Sequence, residues 1–256
     1  MHRTQHNTVE QPANGAPLLV LDDVVFERRS GFMLGPLTVT FHLGVSVVLG
    51  PNGAGKTTLF DVISGIEKPS SGRIVKADDQ LLTVGYLPQL PRFPERATPR
   101  QFLEYVCWLH GVSKGDRKAA VNRALDRVGL SDRAADGIKT LSGGMQRRLG
   151  IAQAIVHSPD VVLLDEPAVG LDPQHRIELR RVLRELGREA ILILSTHLVD
   201  EAALVGDRLI VLSGGQLAFS GTGAELASRA SDDALGDTPL EKAFSTVLSM
   251  PQGRQS

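Results

Sequence analysis

A phosphate-binding pattern occupies residues 50–58, which read GPNGAGKTT. Glycines let the backbone wrap around phosphate oxygens, and successive N–H groups with a helix N-terminus behind them supply positive potential. A lysine at this place in the pattern reaches the β- and γ-phosphates, and the hydroxyl that follows it binds Mg²⁺. The pattern therefore predicts a nucleoside triphosphate site with these candidate contacts: Gly50, Pro51, Asn52, Gly53, Ala54, Gly55, Lys56, Thr57 and Thr58.

The segments on either side of this loop are those that such a site requires. Residues 45–49 form a short apolar run, and an amphipathic stretch with Leu59, Val62 and Ile63 on one side begins at Thr57. A strand, a loop and a helix are therefore expected in that order. The alternative, a glycine-rich turn with an isolated lysine, does not account for this context. Thr57 is accordingly the first candidate magnesium ligand.

Two adjacent carboxylates end a second apolar run. Residues 161–164 read VVLL and are followed by Asp165 and Glu166. Such a run is typical of a strand buried on both faces, and the C-terminal ends of these strands open at the ligand crevice of an α/β sheet. Asp165 is then placed to hold Mg²⁺, directly or through water, and Glu166 to orient and deprotonate the attacking water. Helix capping is the alternative role, and the pair alone does not decide between them.

A third pattern, LSGGMQ, lies between the other two. With these motifs in this order the chain resembles the ATP-binding cassette (ABC) family, and it departs from the family signature LSGGQ only in that Met145 stands before the glutamine. The resemblance implies that the signature holds a γ-phosphate at the start of a helix, where a hydroxyl, N–H groups and the helix dipole converge. A serine N-cap with a flexible turn is the alternative for this segment alone. The residues involved would be Ser142, Gly143, Gly144 and Gln146.

The resemblance also implies roles for three residues elsewhere. Gln89, which ends the segment YLPQ, would act in catalysis as the Q-loop glutamine that contacts Mg²⁺ and the attacking water. Asp172, in the segment GLD, would bind nucleotide from the D-loop that crosses the dimer interface. His197 ends the segment STH after an apolar run and would act in catalysis by contacting the γ-phosphate. The other six histidines are expected to be structural.

Adenine recognition departs from the family pattern. Members usually stack an aromatic ring from the first strand on the base, whereas Arg28 stands at that position here. A guanidinium plane can stack on an aromatic system as a ring does. Arg28, Phe26 and Phe32 are therefore all candidates for the adenine contact.

These motifs need a scaffold that brings strand ends together. The resemblance covers roughly residues 18–226 and implies an α/β fold: a P-loop NTPase core with a mostly parallel sheet, an N-terminal antiparallel β subdomain and an inserted α-helical subdomain at about residues 90–140. Apolar residues at helical spacing support the helical insert. Residues 1–17 are expected to be a flexible leader, and residues 227–256 a tail with a short helix at about 239–249.

Composition limits the class of protein. The chain has 256 residues, of which 42% are hydrophobic, enough for one large α/β domain. A net charge of −1 gives no basic footprint, so nucleic acid is not expected as a partner. The single cysteine, Cys107, is expected to pack in a core in a reducing compartment. No apolar run of about eighteen residues occurs, and we expect the chain to stay in the cytoplasm.

The resemblance implies the ATP-binding and ATP-hydrolysing subunit of an ABC transporter, with ATP and Mg²⁺ as its ligands. A separate integral membrane permease would form the transport pathway, and a second cassette, identical or paralogous, would pair with this chain head to tail. The chain would then lie in the cytoplasm at the inner face of the cell membrane. Several segments, among them STHLVDE, are similar to cassettes of drug, antibiotic and multidrug exporters, which favours export.

Two other classes use related motifs. ABC proteins of translation usually carry two cassettes per chain, and those of chromosome maintenance carry long heptad coiled coils; the sequence shows neither feature. A P-loop kinase for small molecules would need a substrate lid and has no use for LSGGMQ. Action in translation or chromosome maintenance remains the alternative to transport.

Overall fold

A computed structural model of the chain describes residues 18–29, 31–76, 82–231 and 233–249. The predicted leader, residues 1–17, lies outside the described residues, as does the end of the predicted tail. The strands are β1 Leu18–Glu27, β2 Met33–His42, β3 Gly44–Leu49, β4 Ser71–Lys76, β5 Val84–Leu87, β6 Val161–Leu164, β7 Ile191–Thr196, β8 Arg208–Ser213 and β9 Gln216–Gly221. The α-helices are α1 Lys56–Ile63, α2 Pro99–Leu109, α3 Lys114–Arg127, α4 Gly143–Ile155, α5 Pro173–Gly187, α6 Val199–Val205, α7 Gly223–Ala227 and α8 Pro239–Ser249.

The central sheet has, within the described residues, six strands in the order β5-β6-β7-β3-β8-β9. β9 pairs antiparallel with β8, and the other neighbours are parallel. Every residue of β6 and β7 is buried, as expected for parallel strands covered on both faces. The C-terminal ends of β3, β6 and β7 therefore lie at one edge of the sheet. The candidate site residues follow these ends: residues 50–58 after β3, Asp165 and Glu166 after β6, and His197 after β7.

A second sheet joins β2, β1 and β4 in antiparallel pairs. Its apolar face packs on α1, so that Leu21, Phe41 and Phe60 are fully buried in one cluster. This packing holds the start of α1, and with it the preceding loop, against both sheets. The two sheets and the helices between β5 and β6 confirm the predicted fold class. The strand β4 was not predicted, because its sequence SGRIVK shows no clear alternation of apolar and polar residues. In the structure none of its residues is buried.

Helices α2, α3 and α4 lie between β5 and β6 in the sequence. α2 begins with a capping box in which Thr98 Oγ1 accepts from Gln101 N at 3.2 Å and Gln101 Oε1 accepts from Thr98 N at 3.0 Å. Gly129 follows α3 with a φ of 65°, a conformation that glycine adopts without strain. Apolar side chains of the three helices share one cluster with Leu87 of β5. α4 is therefore fixed to the helical layer and to the sheet together.

The C-terminal elements add strands β8 and β9 to the central sheet and pack α8 on its core. β8 turns into β9 through Gly214 and Gly215, which both have positive φ. In α8, Ala243 is fully buried and Val247 is 3% exposed, and both belong to the cluster of the central sheet. The apolar side of this helix thus packs on the core of its own chain.

Candidate functional site

The loop between β3 and α1 borders a cleft of about 520 Å³. Gly55 is the N-cap of α1 and has a φ of 104°, and a Cβ at this position would lie 3.0 Å from Leu34 Cδ1. The close turn of the loop at the helix N-terminus therefore requires glycine there. The residues that line the cleft are Arg28, Phe32, Asn52, Gly53, Ala54, Gly55, Lys56, Thr57, Thr58, Gln89, Asp165 and Glu166.

Lys56 lies beneath this loop and is only 8% exposed. Its Nζ donates to the carbonyl of Gly50 at 2.6 Å and to that of Pro51 at 3.2 Å. Burial lowers the pKa of Lys56, whereas the charges of Glu166 and Asp165 act to raise it. A polyphosphate in the cleft would supply a further counter-charge to this desolvated ammonium, so the loop fits the predicted triphosphate.

Asp165 connects α1, the helix that begins within the P-loop (residues 50–58), to the end of β7. Its Oδ2 accepts from Thr57 Oγ1 at 2.7 Å, and its Oδ1 accepts from Ser195 Oγ at 2.5 Å. The Ser195 hydroxyl in turn accepts from Glu166 N at 2.9 Å. Because these bonds join the start of α1, the end of β6 and the end of β7, three segments distant in sequence are fixed around one carboxylate.

The oxygens in this cleft fit a magnesium ion bound together with phosphate. Thr57, Gln89 and Asp165 all line it and offer hydroxyl, amide and carboxylate oxygens, the hard ligands that Mg²⁺ prefers. No group of three or more His, Cys, Asp or Glu with metal-binding geometry occurs in the described residues.

Glu166 and His197 face each other at the edge of the cleft. Glu166 is 5% exposed, and its Oε1 lies 3.0 Å from His197 Nδ1, a distance at which a protonated Nδ1 donates to the carboxylate. The His197 side chain itself is 50% exposed. The backbone of Glu166 has a φ of 52°, in the left-handed region that is strained for most residues. The structure therefore places a carboxylate with a restricted orientation beside the P-loop.

The signature segment lies elsewhere on the surface. Ser142 and Gly143 are exposed, and Ser142 Oγ caps α4 by accepting from Met145 N at 3.3 Å. Gln146 Nε2 donates to the backbone carbonyl of Leu141, the residue before Ser142, at 3.3 Å. The serine N-cap considered from the sequence is thus present. The cleft lining, as far as the structure describes the chain, includes neither these residues nor Gly144.

Asp172 occupies a similar position at the start of α5. Its Oδ1 accepts from His175 N at 3.0 Å, and its Oδ2 lies 2.6 Å from His175 Nδ1. These bonds lower the pKa of Asp172. Gly144 and Leu171 are close, since a Cβ on Gly144 would lie 3.2 Å from Leu171 Cδ2. The signature and the segment before α5 therefore adjoin each other, outside the cleft formed by the described residues.

The three candidates for the adenine contact occupy different environments in the structure. Arg28 and Phe32 line the cleft, whereas Phe26 is 7% exposed and packs in the cluster beneath the antiparallel sheet. Arg28 Nη2 also lies 3.7 Å from Asp61 Oδ2. Arg28 and Phe32 are thus the candidates placed to contact a base.

Two residues of this region were missed by sequence reasoning. Ser195 links Asp165 to Glu166, and the signal available was a pair of hydroxyl residues, Ser195 and Thr196, at the end of an apolar run. Arg147 is 7% exposed and donates to four backbone carbonyls around the cleft. Its signal was spacing, since it precedes the buried Ile151 and Ala154 by one and two helical turns.

Comparison with known proteins identifies the family. The family described as ABC transporter matches residues 35–169, and this chain belongs to it. The chain is 37% identical over 205 residues to the daunorubicin resistance ATP-binding protein DrrA3 of Streptomyces coeruleorubidus, covering 77% of this chain and 65% of the relative. It is 33% identical over 206 residues to the taurine import ATP-binding protein TauB of Roseobacter denitrificans (strain ATCC 33942 / OCh 114), covering 78% of this chain and 72% of the relative.

A solved structure has the same fold. The chain is similar to cbiO1 of Clostridium perfringens, described as part of the ABC transporter complex cbiONQ, with a TM-score of 0.73 and 28% identity over 84% of this chain and 92% of the other. The chain spans 61 to 66% of the length of several curated relatives that it matches. Among the described helices, none combines the length and apolarity needed to cross a bilayer.

Proposed function

We propose that this chain hydrolyses ATP to drive transport through a separate permease, and that two cassettes share each nucleotide. The division of the motifs carries this proposal. Lys56, Thr57 and Asp165 meet in one cleft, whereas Ser142 is exposed and takes no part in that cleft. One chain thus supplies a cleft with the groups for phosphate and metal, while its signature motif is exposed elsewhere. This arrangement supports a complete nucleotide site formed by the cleft of one chain and the signature of a second copy.

The described residues supply the chemistry of hydrolysis. Mg²⁺ bound by Thr57 and Asp165 would neutralise charge on the phosphate oxygens. Lys56 binds the β- and γ-phosphates through charge-assisted hydrogen bonds. Water attacks the γ-phosphorus, its proton passes to the Glu166 carboxylate, and the bond to the β–γ bridging oxygen breaks to give ADP and phosphate.

Two further side chains orient this reaction. His197 holds the Glu166 carboxylate at 3.0 Å and reaches the γ-phosphate from the exposed edge of the cleft. Gln89 lines the cleft and would position the attacking water and the metal. Both follow strands of the central sheet, so their backbones are fixed while their side chains face the ligand.

The second half of the nucleotide site belongs to the partner cassette. Ser142, Gly143 and Gly144 form an exposed helix N-terminus, which attracts phosphate. Asp172 lies in the adjoining segment and would contact the same interface. In a head-to-tail pair this surface would cover the γ-phosphate bound by the other P-loop.

The permease would dock on the face that carries Gln89 and the helical layer. Leu90, directly after Gln89, is 85% exposed. On α2, Tyr105, Trp108 and Leu109 are all more than half exposed. Exposed apolar side chains of this kind mark protein contacts. This docking would place the chain in the cytoplasm at the inner face of the membrane.

Export is the proposed direction. The similarity to a daunorubicin resistance protein supports it, together with the segments that resemble exporter cassettes. The similarity to a taurine import protein is weaker in identity, at 33% against 37%. Substrate efflux from cells that overproduce the chain with its permease, compared with Glu166→Gln, would test the direction; uptake would reverse it.

Metal-dependent hydrolysis and membrane association together test the function. We expect the purified chain to release phosphate from ATP with Mg²⁺ and to stop when EDTA removes the metal. We also expect the chain to cofractionate with an integral membrane protein after mild detergent extraction. ATPase activity with no membrane-associated fraction would favour a role in translation or chromosome maintenance instead.

A further inference from the structure

Arg147 is a buried charge whose hydrogen bonds, within the described residues, are all to backbone carbonyls. It lies on α4, five residues after Ser142, and is 7% exposed. Within the described part of the chain no carboxylate lies within 4.0 Å of its guanidinium. Burial lowers the pKa of Arg147, while the charges of Asp165 and Glu166 act to raise it. A guanidinium stays charged at neutral pH even in a protein interior, so Arg147 is a buried cation without a direct ion pair among the described residues.

The hydrogen bonds of Arg147 join two segments of the cleft. Nη1 donates to Gln89 O at 2.8 Å. Nη2 donates to Asp165 O at 2.8 Å and also to Glu166 O, and Nε donates to Pro167 O at 3.3 Å. A guanidinium is a rigid planar fork with five N–H donors. One side chain thus fixes Gln89, two residues after the end of β5, relative to three consecutive carbonyls after β6.

These three carbonyls surround the strained residue of the site. Glu166 has a φ of 52°, and such a conformation persists only where the surrounding structure determines it. The Ser195 hydroxyl holds Glu166 from one side through its N–H, and Arg147 holds the carbonyls before, at and after it. The direction of the Glu166 side chain follows from this backbone conformation.

We propose that Arg147 is a positioning residue for the Glu166 carboxylate, which it aligns for water activation by fixing the backbone from Asp165 to Pro167. The inference rests on the proposed function of Glu166. Arg147 donates to the carbonyls of this segment, and its hydrogen bonds within the described residues include none to residues 50–58. Its loss should therefore impair the chemical step and leave nucleotide binding in place.

Two variants of Arg147 test this role in the full-length chain. Arg147→Met keeps the length of the side chain and removes every donor, and Arg147→Lys keeps the charge but replaces the planar fork by a single ammonium. We expect kcat to fall about 10- to 100-fold in Arg147→Met, since a small misplacement of a catalytic group has effects of this size. The Kd for ATP, measured by calorimetry, should stay within about twofold, and Arg147→Lys should recover part of the loss.

Arg148→Met is the matched control on the same helix. Arg148 makes one long bond, to Val128 O at 3.4 Å, and lies 3.9 Å from Glu178 Oε2. Its substitution should change kcat less than about twofold. Thermal unfolding of each variant separates misfolding from misplacement, and Arg147→Lys serves if Arg147→Met does not fold.

A double-mutant cycle with Glu166→Gln gives the decisive readout. If Arg147 acts through Glu166, adding Arg147→Met to Glu166→Gln should reduce turnover by less than about threefold. Multiplied losses, a parallel loss of ATP affinity, or an unchanged kcat in Arg147→Met would overturn the positioning role. Wild-type turnover in Glu166→Gln alone would instead overturn the proposed function of Glu166, and the role of Arg147 with it.

Discussion

The P-loop cleft and the signature surface, which comprises Ser142, Gly143, Gly144 and Asp172, are both proposed to contact nucleotide. They differ in burial, since the charged groups of the cleft are buried and the signature surface is largely exposed. In the cleft, Lys56, Asp165 and Glu166 are each at most 8% exposed and are bonded to groups of the same chain. On the signature surface, Ser142 and Asp172 are exposed, and within the described part of the chain their side chains bond only to their own helix N-termini. Buried charges must be paired in advance because desolvation penalises them. The signature surface is exposed to water and bears no desolvation penalty, so it needs no partner within its own chain before a nucleotide held by a second chain reaches it.

The largest effect should come from the cleft. Glu166→Gln removes the proposed base and should slow hydrolysis by roughly 10²–10⁴-fold, or about 3–5 kcal/mol of barrier. ATP binding should remain. Steady-state phosphate release with and without the substitution measures this. Glu185→Gln, an exposed glutamate of α5, is the control and should keep wild-type turnover. Wild-type turnover in Glu166→Gln would remove Glu166 from the base role.

Lys56→Ala should act earlier, on nucleotide binding. It deletes the only P-loop side chain that offers charge-assisted hydrogen bonds to the phosphates, each worth about 1.5–3 kcal/mol. ATP affinity by calorimetry should therefore fall at least about tenfold, and turnover with it. Lys118→Ala, an exposed lysine of α3, should leave both unchanged. Unaltered affinity in Lys56→Ala would show that backbone N–H groups hold the phosphates.

Ser195→Ala tests whether the bonds behind the cleft maintain its geometry. The substitution leaves Glu166 N without its acceptor and Asp165 Oδ1 without its donor. We expect the free energy of unfolding to fall by about 1–3 kcal/mol and turnover to fall as well. Chemical denaturation measures the first change, and Ser228→Ala, an exposed serine after α7, is the control. Equal stability of the two variants would contradict the account of Ser195.

The smallest change in stability should come from the signature surface. Ser142→Ala removes the N-cap of α4 and should lower the free energy of unfolding by about 1 kcal/mol. Binding of ATP to the isolated chain should not change, because Ser142 does not line the cleft. Calorimetry on the monomer measures this affinity. A loss of ATP affinity in the monomer would place Ser142 in its own chain's site.

Contiguous motifs explain why much of the cleft could be predicted from sequence. Residues 50–58 and the Asp165–Glu166 pair each lie at the end of a buried strand, so local order alone brings them to one edge of the sheet. The contacts of Ser195 and Arg147 could not be predicted in this way. They join residues 18 to 58 positions apart along the chain, and local periodicity carries no information on such pairs.

The same reasoning explains the limits on the fold. β6 is wholly apolar and β7 begins with the apolar run ILIL, and both were expected, whereas β4 is half exposed and reads SGRIVK. Its place in the antiparallel sheet follows from pairing with β1 rather than from its own pattern. Adenine recognition had three candidates because sequence does not show which side chain faces the cleft. Burial of Phe26 leaves Arg28 and Phe32.

Complementation between two inactive variants tests the shared site most directly. Lys56→Ala lacks a working P-loop and Ser142→Arg lacks a working signature, so each should be inactive as a homodimer. A mixed dimer has one interfacial site with both halves intact and one with neither. Random pairing in an equal mixture makes about half of the dimers mixed, so up to about a quarter of wild-type ATPase activity should return.

The measurement is a titration of one purified variant against the other, with phosphate release as the readout and membrane partner present if the isolated chains do not dimerise. The shared-site account predicts that recovered activity peaks near equal amounts of Lys56→Ala and Ser142→Arg. Mixed dimers that demonstrably bind ATP but recover no hydrolysis would contradict it.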